Sequence, residues 1–335
     1  MDERAVAIET VEMHTGGEAV RIVTGGWPAI RGETILDKRR DARERLDRWR
    51  RLVMHEPRGH YDMYGVLPVE PDLPGADMAV LFIHNEGYST MCGHAVIALG
   101  RFAVDTGIVP AVEPVTRVAI QCPCGLVEAE VAVRDGRAGA ASFVSVPAFA
   151  AHLDRTVEVP GYGAVTLDVG YGGAFYAILP AARLGLSLTA PAARLVEAAD
   201  AVSRAVRAAL PIEHPVEADL GFLYGTILTD GGDGREAPTV NVCVFADREV
   251  DRSPTGSGVT ARVALMRARG EIAPGETRRF RSIVGSEFTG AVEADTTLAG
   301  RPAVRVRVAG KAHYAGRATF TIEPDDPFPE GFLVR

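Results

Sequence analysis

Cys92-Gly93-His94-Ala95-Val96-Ile97-Ala98 and Thr255-Gly256-Ser257-Gly258-Val259-Thr260-Ala261 align without a gap at an offset of 163 residues, identical at glycine, valine and alanine. That offset is close to half of the 335-residue chain. A fainter echo, at an offset of 156, pairs Gly16-Gly17 of Met13-His14-Thr15-Gly16-Gly17-Glu18 with Gly172-Gly173 of Gly170-Tyr171-Gly172-Gly173-Ala174-Phe175. Two echoes in the same order and at nearly the same spacing predict a duplicated architecture, two similar lobes facing one another.

Around these repeats, short β-branched runs bounded by Gly, Pro and Asp recur, as in Val118 to Val133 before Asp135-Gly136 and Val304 to Val308 before Gly310. Strands therefore outnumber helices. Four helices are expected. The first runs from about Asp37 to Met54 with Ala42, Leu46, Trp49 and Val53 on one face, and the second from Thr90 to a stop at Gly107 with Val96, Leu99, Phe102 and Ala103 inward. A third spans about Ala192 to Leu210, and the fourth starts with Ser253 as N-cap and Pro254 at the first helical position and ends near Gly270.

Composition narrows the function. With 47% hydrophobic and 24% charged residues the chain is an ordinary globular one, and no apolar stretch is long enough for a membrane helix. The N-terminal Met-Asp-Glu-Arg-Ala-Val is acidic where an export signal carries a basic region, so a cytoplasmic location is expected. The net charge of −8 and the scattered basic residues argue against nucleic acid as a partner. Lys38 and Lys311 are the only lysines, which makes Schiff-base chemistry improbable, and the four cysteines have no zinc-site spacing. No cofactor and no metal are expected.

A helix N-terminus leaves backbone N–H groups unpaired and carries partial positive charge, so it holds a carboxylate and draws a thiol toward thiolate. Cys92 and Thr255 both sit at such starts. Gly93 and Gly256 remove the neighbouring side chains and let a small anion approach the amides. Cys92 is thus the candidate reactive thiol, while Cys122, Cys124 and Cys243 read as buried and inert. His94 is either a satisfied structural histidine or a group that touches substrate or tunes the thiol. Asp251 is either an extra capping carboxylate for the fourth helix or the anion that holds a substrate ammonium.

Met91-Cys92-Gly93-His94, Asp251-Arg252-Ser253-Pro254-Thr255-Gly256-Ser257-Gly258 and Met13-His14-Thr15-Gly16-Gly17-Glu18 together resemble the proline racemase family. Arg58-Gly59-His60, Asp62-Met63-Tyr64-Gly65, Tyr171-Gly172-Gly173-Ala174-Phe175-Tyr176 and Gly285-Ser286-Glu287-Phe288-Thr289-Gly290 extend the likeness over essentially the whole chain. The resemblance implies an α/β fold similar to diaminopimelate epimerase. Two pseudo-symmetric lobes would each wrap a mixed sheet around a central helix, with the active site between them. Residues 1–150 plus about 316–335 would form the lobe that carries Cys92, and residues 151–315 the lobe that carries Asp251 and Thr255.

In the racemases both helix starts carry cysteine. Threonine at 255 departs from that pattern, and a hydroxyl with no accessible alkoxide cannot serve as a second base. Cysteine at the first helix start with threonine at the second resembles the trans-3-hydroxy-L-proline dehydratase branch. The resemblance then implies a hydro-lyase that converts trans-3-hydroxy-L-proline to Δ1-pyrroline-2-carboxylate. Cys92 would be its base, with Thr255 across the substrate. Gly93, His94, Gly256 and Ser257 would line the carboxylate, Asp251 would pair with the ring nitrogen, and Tyr64 and Phe245 would wall the pocket. The expected partner is a small imino acid, with a homodimer left open. Two rival readings are a racemase or epimerase acting on proline or 4-hydroxyproline, against which Thr255 stands, and a non-catalytic amino-acid binder.

Overall fold

The computed structural model describes residues 6–334; the acidic N-terminal residues 1–5 and Arg335 lie outside the described residues. Period-two patterning makes the strands. In Gly125–Arg134, Val127, Ala129, Val131 and Val133 point into the core while Glu128 and Arg134 face water. Asp135 and Gly136, both at positive φ (51° and 67°), form the tight hairpin turn into Arg137–Val144. The single run expected from Val118 to Val133 is two antiparallel strands, Val115–Cys122 and Gly125–Arg134, because the chain reverses at Pro123-Cys124.

The repeat in sequence is a repeat in topology. The first half opens with the hairpin of β1 (Val6–Thr15) and β2 (Glu18–Gly25). It crosses over through α1 (Ile35–Arg45) and α2 (Asp47–Met54) to a parallel strand, Tyr64–Val69, and returns antiparallel as Met78–His84. After the short strand Tyr88–Ser89 and the helix α3 (Gly93–Asp105), Val115–Cys122 runs parallel to that return. The second half does the same with Gly163–Tyr171 and Phe175–Pro180, the helix α4 (Ala192–Ala209), Leu223–Thr229, Thr239–Phe245 and Glu249–Asp251. It closes with α5 (Gly256–Ala268), Thr277–Ser282, Glu287–Leu298 and Arg301–Gly310. The halves join where Arg137–Val144 pairs with Arg301–Gly310. The last strand, Ala312–Ile322, lies antiparallel along the whole of β1.

Each half closes around one helix. Strands β1, β2, Gly125–Arg134 and Arg137–Val144 pack on α3, and Phe149–Val159, Gly163–Tyr171, Glu287–Leu298 and Arg301–Gly310 pack on α5. Both helices are therefore buried on nearly all sides, which their Gly, Ala and Val content permits, rather than on the single face expected for the helix at Val96. Among the described residues no helix is long and apolar enough to cross a membrane.

Two helix boundaries differ from expectation. The helix expected from Asp37 to Met54 breaks at Leu46 (φ −118°, ψ 10°), and the turn buries Leu46 and lets Ile35 and Ala42 of the first short helix share one core cluster with Leu52, Val53 and Met54 of the second. The fourth helix begins at Gly256 with Thr255 as N-cap, not at Pro254 with Ser253; Ser253 instead accepts the Thr255 N–H through its Oγ at 3.0 Å.

The starts of α3 and α5 meet glycine to glycine. A Cβ added to Gly93 would lie 2.5 Å from Gly256 Cα, and one added to Gly256 would lie 2.7 Å from Gly93 Cα. The glycines are needed for this backbone contact as well as for ligand access. Gly256→Ala is expected to lower unfolding stability by about 1–3 kcal/mol in urea denaturation. Gly316→Ala, where a methyl meets open space, is expected to change it by less than about 0.5 kcal/mol.

Candidate active site

Where the two helix starts converge, they enclose a small cavity of about 10 Å³, room for about one water molecule. Cys92, Gly93 and His94 reach it from the start of α3, and Thr255, Gly256 and Ser257 from the start of α5. Tyr64, at the head of its strand, and Phe245 and Asp251, each at the end of one, complete the wall. All nine residues singled out in the sequence thus line one cavity. Met91, Tyr176, Tyr224 and Cys243 line it too. Cys243 stands two residues before Phe245 on the same strand, so period-two alternation puts both on one face; that signal was available and the inert reading of Cys243 passed over it.

Cys92 is the N-cap of α3, and its Sγ accepts from the Ala95 N–H at 3.4 Å. His94 Nδ1 lies 3.1 Å from the same sulfur. The helix terminus does not win: burial pushes the thiol well above its ordinary value, the carboxylates of Asp251 and Glu18 add to the rise, and the Ala95 N–H and the Tyr64 hydroxyl only oppose it. Burial likewise lowers His94 to about 4, so the pair rests as neutral thiol and neutral imidazole.

On the opposite wall, Asp251 Oδ1 accepts the Ser253 N–H at 2.7 Å, so the carboxylate caps the turn before α5 rather than α5 itself. Thr255 holds that turn at φ 66°, a left-handed conformation costly for a β-branched residue, on the order of 1–3 kcal/mol. Its buried hydroxyl has Cys243 nearby but no partner in hydrogen-bond geometry. Ser257 Oγ is paired with Tyr176 OH at 2.7 Å.

One hairpin clamps both walls. The Thr15 hydroxyl donates to the His94 carbonyl at 2.8 Å, and three residues on, Glu18 receives Arg252 through its backbone N–H and Nε at 2.7 Å each and a third N–H at 3.0 Å. Burial and the charge of Asp251 raise Glu18 to about 8, against the hydrogen bonds and charge of Arg252, which favour its ionised form. The sequence reading quoted this hairpin only as a motif, without a role for Glu18.

Since the thiolate is the nucleophile, alkylation of Cys92 by iodoacetamide, followed peptide by peptide by mass spectrometry, should accelerate with pH with a midpoint above that of a free thiol. Asp251→Asn removes a charge that opposes ionisation and should move the midpoint to lower pH; an unmoved or higher midpoint would contradict the electrostatics described.

A family model described as proline racemase matches residues 10–333. The chain is 54% identical to "Trans-3-hydroxy-L-proline dehydratase" of Homo sapiens, covering 100% of this chain and 96% of the relative. It is 47% identical to "3-hydroxyproline 2-epimerase" of Burkholderia multivorans, covering 98% of each. Among solved structures, a hydroxyproline epimerase from Agrobacterium vitis with bound trans-4-hydroxy-L-proline superposes with a TM-score of 0.92 at 28% identity, covering 98% of this chain and 96% of that one. With the duplicated fold and two helix starts converging on one cavity, these likenesses establish that the chain belongs to the proline racemase family.

Proposed function

We propose that this protein is a hydro-lyase that converts trans-3-hydroxy-L-proline to Δ1-pyrroline-2-carboxylate and water, with Cys92 as its single base. The observation that carries the reading is the pairing of cysteine with threonine at the two facing helix starts, in a chain more than half identical to trans-3-hydroxy-L-proline dehydratases of several animals.

The substrate is a zwitterion. Its carboxylate is held by the free N–H groups at the starts of α3 and α5, where Gly93, His94, Gly256 and Ser257 lie, and its ring ammonium by Asp251. The ammonium offsets the carboxylate charge that raises Cys92, so binding itself favours the thiolate. Cys92 then removes the α-proton while the helix-terminal amides stabilise charge developing on the carboxylate. In this substrate the α-hydrogen and the 3-hydroxyl are on the same ring face, so water leaves by syn elimination from the Cys92 side. The enamine product tautomerises to the imine. Tyr64 and Phe245 exclude water, which strengthens every dipole aimed at the substrate. Thr255 orients the ring from the far face.

An epimerase reading draws on the Burkholderia relative, and a racemase or 4-hydroxyproline epimerase reading on the family. Each requires a proton delivered to the face opposite Cys92, where Thr255 offers only a hydroxyl with no accessible alkoxide. A non-catalytic binder would have no use for a buried thiol 3.1 Å from a histidine. The cytoplasm, which keeps thiols reduced, suits a chain whose four cysteines are all unpaired.

Proton NMR of the protein with trans-3-hydroxy-L-proline should show pyrroline-2-carboxylate, and trans-4-hydroxy-L-proline should remain uninverted; inversion of either hydroxyproline without dehydration would overturn the reading. Cys92→Ser should lower turnover by at least about 100-fold with the fold intact by circular dichroism. Thr255→Cys should confer inversion of L-proline, detected by chiral chromatography, because it restores an acid and base on the second face.

A further inference from the structure

In a concerted syn elimination the departing hydroxide needs its proton while Cys92, still taking the α-proton, has none to give. The donor must already be protonated, on the Cys92 side and at the cavity wall. Three hydroxyl groups of tyrosines line the cavity. Tyr176 is committed to Ser257 beside Thr255. Tyr224 stacks face to face on Phe245, centroids 5.2 Å apart, and its hydroxyl has no partner to resupply a proton. Tyr64 differs from both. Its ring lies edge-on to His94 at 4.9 Å, its hydroxyl is 2.5 Å from the fully buried Ser89 Oγ, and it lines the cavity together with Cys92 and His94.

We infer that Tyr64, held by Ser89, is the catalytic acid that protonates the leaving 3-hydroxyl. As the Cα–H bond breaks toward Cys92 Sγ, its electron pair forms the Cα=C3 bond and the C3–O pair departs with the Tyr64 proton as water. The phenolate left behind takes the proton from the Cys92 thiol, so one proton has moved from carbon to water and the enzyme is restored. Burial holds the Tyr64 phenol well above its ordinary value, which keeps it protonated at neutral pH. His94 is occupied otherwise, with Nδ1 facing the sulfur. The inference rests on the dehydratase reading and assigns it the donor.

Trans-3-fluoro-L-proline separates an acid from a merely structural residue. Fluoride leaves without a proton, since hydrogen fluoride is a far stronger acid than water, yet its elimination still needs Cys92. Tyr64→Phe should lose at least about 100-fold in kcat on the hydroxy substrate. Its release of fluoride, read with an ion-selective electrode, should stay within about 5-fold of the wild type. Ser89→Ala, which leaves the ring in place, should show the same selectivity with a smaller loss, and it carries the test if Tyr64→Phe does not fold. Equal loss on both compounds, no loss on either, or selective loss in Tyr224→Phe instead would overturn the assignment. A wild-type enzyme that releases fluoride but does not dehydrate the hydroxy substrate overturns the acid while leaving the Cys92 base intact; one inert toward both overturns the dehydratase reading and the acid with it.

Discussion

Two helix N-termini pointed at each other across a gap that admits no side chain are the constraint on which the rest of the molecule depends. Gly93 and Gly256 face each other backbone to backbone, and the free amides and dipole ends of α3 and α5 converge on one small volume. Two positive ends in proximity repel, so the arrangement is built to be completed by an anion. In the proposed function the substrate carboxylate supplies one. The strands exist to hold this geometry: each half wraps one helix, and the pairing of Arg137–Val144 with Arg301–Gly310 and of β1 with Ala312–Ile322 ties the halves together.

The electrostatics of the closed site follow from burial more than from the dipoles. Burial pushes three groups at the cavity toward their neutral forms: the Cys92 thiol up, His94 down to about 4, the Tyr64 phenol up. In the proposed function, the ring ammonium of the substrate beside Asp251 supplies the positive charge that the thiolate lacks, which couples activation of the base to occupancy by the correct ligand. Glu18 and Arg252 serve that coupling from behind, by fixing the turn that carries Asp251 and Thr255 to the hairpin that also holds His94.

Much of this was legible in the residues. The gapless match of Cys92–Ala98 with Thr255–Ala261 foretold the duplicated fold, and it did so because only glycine fits where backbones touch. The start of α5 was misread because Ser253-Pro254 is a strong helix-start signal locally, whereas the chain uses Ser253 to cap a turn and lets Thr255 enter a left-handed conformation. The Asp37–Met54 pattern hid a break at Leu46 because a stripe that serves one long helix serves two short ones equally. Tyr176, Tyr224 and the Glu18–Arg252 clamp depend on strand pairings between residues far apart in the chain, which local patterning does not encode. The poise of Cys92 was expected from position alone; depth of burial reversed its resting state.

In the proposed function, threonine at 255 leaves the site with a single base, and the consequence is chemistry on one face only. L-proline, which has no leaving group, isolates that property. Incubated with the enzyme in deuterium oxide, it should exchange its α-hydrogen for deuterium by proton NMR while chiral analysis finds L-proline alone, because Cys92 removes and returns the proton on the same face. Appearance of D-proline would contradict the single-base site.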